Sequence, residues 1–295
     1  MAIDCSEKMV IPDGEIASVG FRHGIWKETF CAVFFYRKRL GVLFLALATL
    51  KLQVVLFPFF FMAVLAPVSG LVVTAGTVLA LYTGCAWGGV GAKVSWSWKK
   101  ILEFMFKALL LFLLLEVSGS WYFSPANSTM FGGELRLTEL SQDNNSYELL
   151  LVLVAFLTKW LWELIIIVLL ATGLPAVLLA RRQGFKRTFK RGYAAALYIV
   201  SRLFIGPIPA LIVALIWSVI VTGVGAGMVR LNFDLSQKIE FLSYAVMLSL
   251  VSNTIVFLAY LMAGIVLSRG YQLGEARLAK GNKPEGELKE AEAGV

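Results

Sequence analysis

Four polar side chains interrupt long apolar runs of this sequence, and they are where chemistry would be done. Lys51, Lys159, Glu163 and Asn253 all lie well inside such runs. A charge at membrane depth costs about 3 kcal/mol or more unless it is paired or faces a wet interior. Lys159 and Glu163 are four residues apart, so they share a helix face and can neutralise each other. Lys51 is too far beyond the basic triplet Arg37, Lys38, Arg39 to reach a headgroup, and it sits at a depth comparable with Glu163 when the two helices run in opposite directions. Asn253 belongs to a polar patch with Ser249, Ser252 and Thr254. Grouped, these residues would form an intramembrane polar cluster on a route for a small solute or ion. The competing use of the same residues is an ion pair pinning the first span to the fourth.

Catalytic chemistry has less to work with. His23 is the only histidine and precedes the apolar runs, so the sequence holds no His-Glu-x-x-His zinc motif and no Ser-His or Cys-His pair at membrane depth. A glycine-rich phosphate loop is also missing. Cys5, Cys31 and Cys85 are scattered without a Cys-x-x-Cys spacing, which points away from a metal site and from a disulfide framework. The expectation is a protein that is not an enzyme and carries no cofactor or metal.

The elements that must hold the four residues are six apolar runs, at about 41–66, 68–91, 101–123, 148–180, 193–229 and 241–268. Each exceeds the ~20 helical residues that cross a hydrocarbon core. Composition agrees: 59% hydrophobic and 16% charged residues lie outside the soluble range of about 45–50% and about 25%. The expected fold is therefore all-α, a polytopic helical bundle of six transmembrane helices with cytoplasmic-side interfacial amphipathic helices.

Basic residues set the orientation, because they resist translocation. Lys93, Lys99 and Lys100, then Arg181, Arg182, Lys186, Arg187, Lys190 and Arg191, fall on the same side as the N-terminal segment if six spans alternate. The loop at 124–147 carries only Arg136 among the basic types, against Glu134, Glu139 and Asp143. Both termini are thus expected in the cytoplasm. The net charge of +8 is assigned to loops facing anionic lipid headgroups and not to nucleic acid. Two Asn-x-Ser/Thr triplets, at Asn127 and Asn144, lie in the largest outer loop and carry no assignment.

Three parts follow: a cytoplasmic segment with an interfacial helix (1–40), a six-span membrane domain (41–268) and a charged, disordered tail (269–295) with room for a short helix around 270–280. In the first, Trp26, Phe30, Val33 and Phe34 form an apolar stripe, with Lys27, Glu28 and Arg37 off it. Trp26-Lys27-Glu28-Thr29-Phe30 is echoed by Trp98-Lys99-Lys100-Ile101-Leu102 and by Phe185-Lys186-Arg187-Thr188-Phe189. Each copy precedes an outgoing span, as three helical hairpins would require. Gly206-Pro207-Ile208-Pro209 should break the fifth run, and Pro175 should kink the fourth. Gly84-x-x-x-Gly88 and Gly223-x-x-x-Gly227 mark seams where helix backbones can touch.

In layout alone the chain resembles bacterial six-span inner-membrane proteins in which a basic amphipathic helix precedes each hairpin. That resemblance implies a bacterial plasma-membrane location and carries over no residue. The functional expectation is a permease or channel-like component for a small solute or ion. The alternative is a non-transporting assembly or scaffold protein, with a second copy or another membrane protein as partner.

Overall fold

The structure is a computed structural model that describes residues 24–38, 40–42, 62–90, 97–122, 146–178, 184–229 and 235–281. Among these residues there are helices and turns and no strand. The helices are α1 (Ile25–Phe35), α2 (Met62–Val90), α3 (Trp98–Tyr122), α4 (Ser146–Leu170), α5 (Gly173–Leu178), α6 (Phe185–Ile205), α7 (Pro207–Val229) and α8 (Leu235–Gly281).

Proline chemistry sets two of the boundaries. α6 stops at Gly206, whose N–H donates to Arg202 O at 3.1 Å, and α7 begins at once with Pro207 and Pro209 in its first turn. First-turn positions need no N–H from the chain, so prolines are tolerated there. In the fourth run the helix yields earlier than Pro175 itself. Ala171 and Thr172 form a turn, closed by Leu174 N–H to Ala171 O at 3.0 Å, and Pro175 falls inside the short helix α5. Because Pro175 has no proton to give the carbonyl four residues back, the break moves one turn upstream.

α8 organises the bundle. It packs on α2, α6, α7, α1 and α5, while α4 packs on α6 and α3. Its 47 residues extend about 70 Å at the helical rise, more than twice a hydrocarbon core. The helix does not end with the sixth apolar run at Ser268. It continues to Gly281, and Tyr271 and Gly274 in the added part are buried against the bundle.

The α2–α8 contact is a backbone-to-backbone seam. A Cβ placed on Gly84 would run into Leu261 O and lie 3.0 Å from Gly264 Cα; one on Gly264 would lie 2.7 Å from Cys85 N; one on Gly88 would lie 3.0 Å from Ile265 O. Of the two glycines read from the sequence on α2, Gly84 therefore meets a third, Gly264, on α8, and Gly88 lies against Ile265 and Ser268. Close approach of this kind gives packing and weak C–H···O contacts where lipid supplies no hydrophobic drive between helices. Gly223 and Gly227 are helical within α7, and the packing around them lies outside the described residues.

Apolar side chains cover the outside as well as the core. Leu102, Phe106, Leu110 and Leu113 on α3, Leu157 and Leu161 on α4, and Ile212, Leu215 and Val219 on α7 are all exposed. Soluble proteins do not expose apolar surface on that scale. Three stretches of the described residues, Leu157–Leu178, Phe185–Trp217 and Leu250–Ala279, are long and apolar enough to cross a membrane. They fit an integral membrane location. Most of the first expected span, including Lys51, lies outside the described residues.

The α2–α8 seam yields a direct test. Gly84→Val should destabilise the folded protein in detergent by roughly 1–3 kcal/mol or more, as overpacking does. Gly41→Ala, where no atom stands within 4 Å of the new methyl, should leave it unchanged. Thermal unfolding of both variants reads the difference.

Candidate functional site

Of the four residues singled out above, two are directly joined. Lys159 Nζ lies 3.6 Å from a Glu163 carboxylate oxygen on the same helix, and each side chain is about a third exposed. Trp160 and Trp162 beside them point outward. Asn253 is carried by α8, whose main neighbours α2, α6 and α7 do not include α4. Ser252 Oγ donates to Ala214 O on α7 at 3.4 Å, and Thr254 Oγ1 donates to Leu250 O at 2.8 Å. The Asn253 amide nitrogen is buried with no hydrogen-bond partner among the described residues.

The densest charge lies elsewhere, where α6 begins and α8 runs on past Ser268. Arg191 is completely buried. Its Nε sits 3.0 Å from Glu275 Oε1, its Nη1 donates to Thr172 O at 3.1 Å, and its guanidinium carbon is 4.2 Å from the centre of the Tyr271 ring. Arg187 Nη2 takes the other Glu275 oxygen at 2.6 Å. One carboxylate thus serves two guanidiniums. It also answers a helix-end problem: Lys186, Arg187, Lys190 and Arg191 crowd the first two turns of α6, where the macrodipole is already positive.

Small residues let these groups meet. A Cβ on Gly274 would lie 2.7 Å from Arg191 O, and one on Gly192 would lie 2.5 Å from Leu169 O. Gly192 therefore brings α6 against α4, and Gly274 brings α8 against α6. Arg277 adds a hydrogen bond from its guanidinium to Ala194 O.

A second ion pair fastens α1. Glu28 is buried, and its carboxylate meets Arg269 Nη2 at 2.9 Å. Tyr198 and Arg202 of α6 line the same crevice. Further along, Ala32 packs with Leu261 and Ile265, and Val33 and Arg37 lie beside Thr254 and Leu258. These pairings place α1 antiparallel to α8. Its aromatic stripe, Trp26, Phe30 and Phe34, turns outward, while Glu28, Thr29 and Ala32 turn in. Burial pushes the Glu28 carboxyl above its ordinary range, with Arg269 and then Arg202 pulling the other way.

Sequence reasoning missed this ionic layer because it assigned Arg187 and Arg191 to a solvated basic loop and Glu275 to a tail. One signal was present: Tyr271 and Gly274 interrupt the charged pattern at helical spacing. The cysteine expectation also needs correcting. Cys85 is buried and free, as expected, whereas Cys31 is disulfide-bonded and Cys5 lies outside the described residues.

No family model matches the chain, and no curated protein or solved structure matches it.

Two outcomes follow from the ionic layer. Glu275→Gln strands the buried Arg191 and should cost about 3–5 kcal/mol, whereas Arg187→Gln, with its side chain more than half exposed, should cost about 1 kcal/mol or less. Chemical unfolding separates them. A carboxyl whose folded pKa is raised adds stability below its unfolded pKa and loses that increment as pH climbs through the folded value. Unfolding free energy measured from acid to neutral pH should therefore contain a Glu28 component that falls with rising pH, and Glu28→Gln should remove that slope.

Proposed function

We propose that this chain is a multi-pass membrane protein that acts as a rigid assembly or scaffold element, joining partners through its helix faces. The observation that carries this reading is how its charges are used. Arg191 with Glu275, Glu28 with Arg269, and Lys159 with Glu163 are each paired, and the first two pairs tie separate helices together. A buried pair of this kind adds little net stability over an apolar contact but penalises every other arrangement strongly. That is a property of a fixed shape, not of a moving gate. No catalytic step is part of the proposal.

Transport of a small solute or ion is the second reading, and the Asn253 amide nitrogen, buried without a hydrogen-bond partner among the described residues, supports it. In that reading Lys51, Lys159, Glu163 and Asn253 line the route. The topology proposed for both readings has six crossings with both termini in the cytoplasm, in a bacterial plasma membrane. The cationic starts of α3 and α6 support that orientation.

Three measurements decide. The intact chain, purified with its neighbours and analysed by mass spectrometry, should bring a defined membrane partner. In reconstituted vesicles the wild type and Lys51→Met should both show only the solute flux of empty vesicles; wild-type flux above that level, lost in Lys51→Met at normal abundance, would establish the transport reading instead. A cysteine at exposed position 186 should resist an impermeant thiol reagent added outside sealed cells, and labelling there would reverse the topology.

A further inference from the structure

The five-residue pattern that recurs three times in the sequence has one geometry in all three places. At its first position, Trp26, Trp98 and Phe185 are 43%, 79% and 72% exposed. At its second, Lys27, Lys99 and Lys186 are all exposed. At its fifth, Phe30, Leu102 and Phe189 are exposed at 48%, 62% and 44%. The fourth position turns inward each time: Thr29 and Ile101 are buried, and Thr188, half-buried, accepts at its carbonyl a hydrogen bond from Thr172 Oγ1 at 3.4 Å.

The third position, the least alike in sequence, has the same job in all three copies. Glu28 pairs with Arg269 of α8, Lys100 Nζ donates to Leu178 O of α5 at 3.4 Å, and Arg187 pairs with Glu275 of α8. Each copy is therefore tied through its third residue to a different part of the bundle. The ties also place the copies at one end. Arg269 and Glu275 are six residues apart on α8, and the short helix α5 spans from beside Thr188 to Lys100.

We propose that these three segments form a three-point binding surface for anionic phospholipid headgroups. An outward aromatic ring sits at the boundary of the acyl chains, and the adjacent lysine, unhindered and one residue along, meets the phosphate. The inward tie fixes each ring and lysine to the bundle, so a bound headgroup is held by the fold and not by a loose loop. The charge selects the occupant: the outward polar group is a cation in every copy, and the zwitterionic alternative offers it less. This surface stands apart from the assembly reading and does not depend on it.

The test uses the full chain in bilayer discs of phosphatidylcholine alone or mixed with phosphatidylglycerol. Wild type should retain phosphatidylglycerol over phosphatidylcholine on purification, measured by lipid mass spectrometry. Each of Lys27→Gln, Lys99→Gln and Lys186→Gln should lower that preference by about fivefold, as expected for one cation at an anionic surface. The triple variant should abolish it while the far-ultraviolet helix signal stays intact. Should the triple variant fail to accumulate, the three single variants still read the steps. Equal retention of both lipids by wild type, or an unchanged preference in the single variants, overturns the proposal. So does a loss confined to one lysine, since the three copies would then not be equivalent.

Discussion

Everything at the charged end of this molecule depends on keeping one guanidinium out of water. Arg191 has no exposed surface, and an uncompensated buried ion would cost more than a small bundle can spare. Glu275 must therefore be present, and it can be present only if α8 remains helical for about two further turns beyond Ser268. Tyr271 and Gly274 follow from that requirement. One supplies a ring under the cation, and the other lets α8 lie against the α6 backbone. The charged segment after the last apolar run becomes structural through this ion pair together with the packing of Tyr271 and Gly274.

The opposite logic governs the apolar seams. Between α2 and α8 no charge is involved, and the helices hold by bringing backbones together at Gly84, Gly88 and Gly264. Hydrophobic burial cannot distinguish a neighbouring helix from lipid, so shape must do so. The molecule thus uses two kinds of specificity, packing in its apolar part and ion pairing at its basic end, and α8 takes part in both.

Much of this was legible in the residues. The break at Gly206-Pro207, the break near Pro175, the amphipathic α1 and the Lys159–Glu163 pair all follow from local rules, proline geometry and helical spacing, that act within a few residues. Gly84 and Gly88 announced a seam, although Gly264, which meets Gly84, has no glycine four residues away on either side to mark it. What could not be read were pairings between distant segments. Arg191 looks like one more cation in a basic loop until Glu275, over eighty residues on, is placed beside it. Likewise the stripe on α1 correctly identified an apolar face, but not that the opposite face, with Glu28, would bury itself against Arg269. The polar set of Lys51, Lys159, Glu163 and Asn253 rested on depth along separate helices, and depth alone does not say which helices are neighbours.

The order in which the helices occur along the chain has a temporal meaning. α8 is made after α1, α2, α6 and α7, and it is the element on which all of them lean. Emerging one by one from the ribosome, the earlier helices lack the surface they share in the finished structure, and the contacts of α8 with α1 and α2 are sequence-distant and slow to form. Until α8 emerges, the faces of α1, α2, α6 and α7 that pack on it stay uncovered, and Arg191 lacks the carboxylate of Glu275.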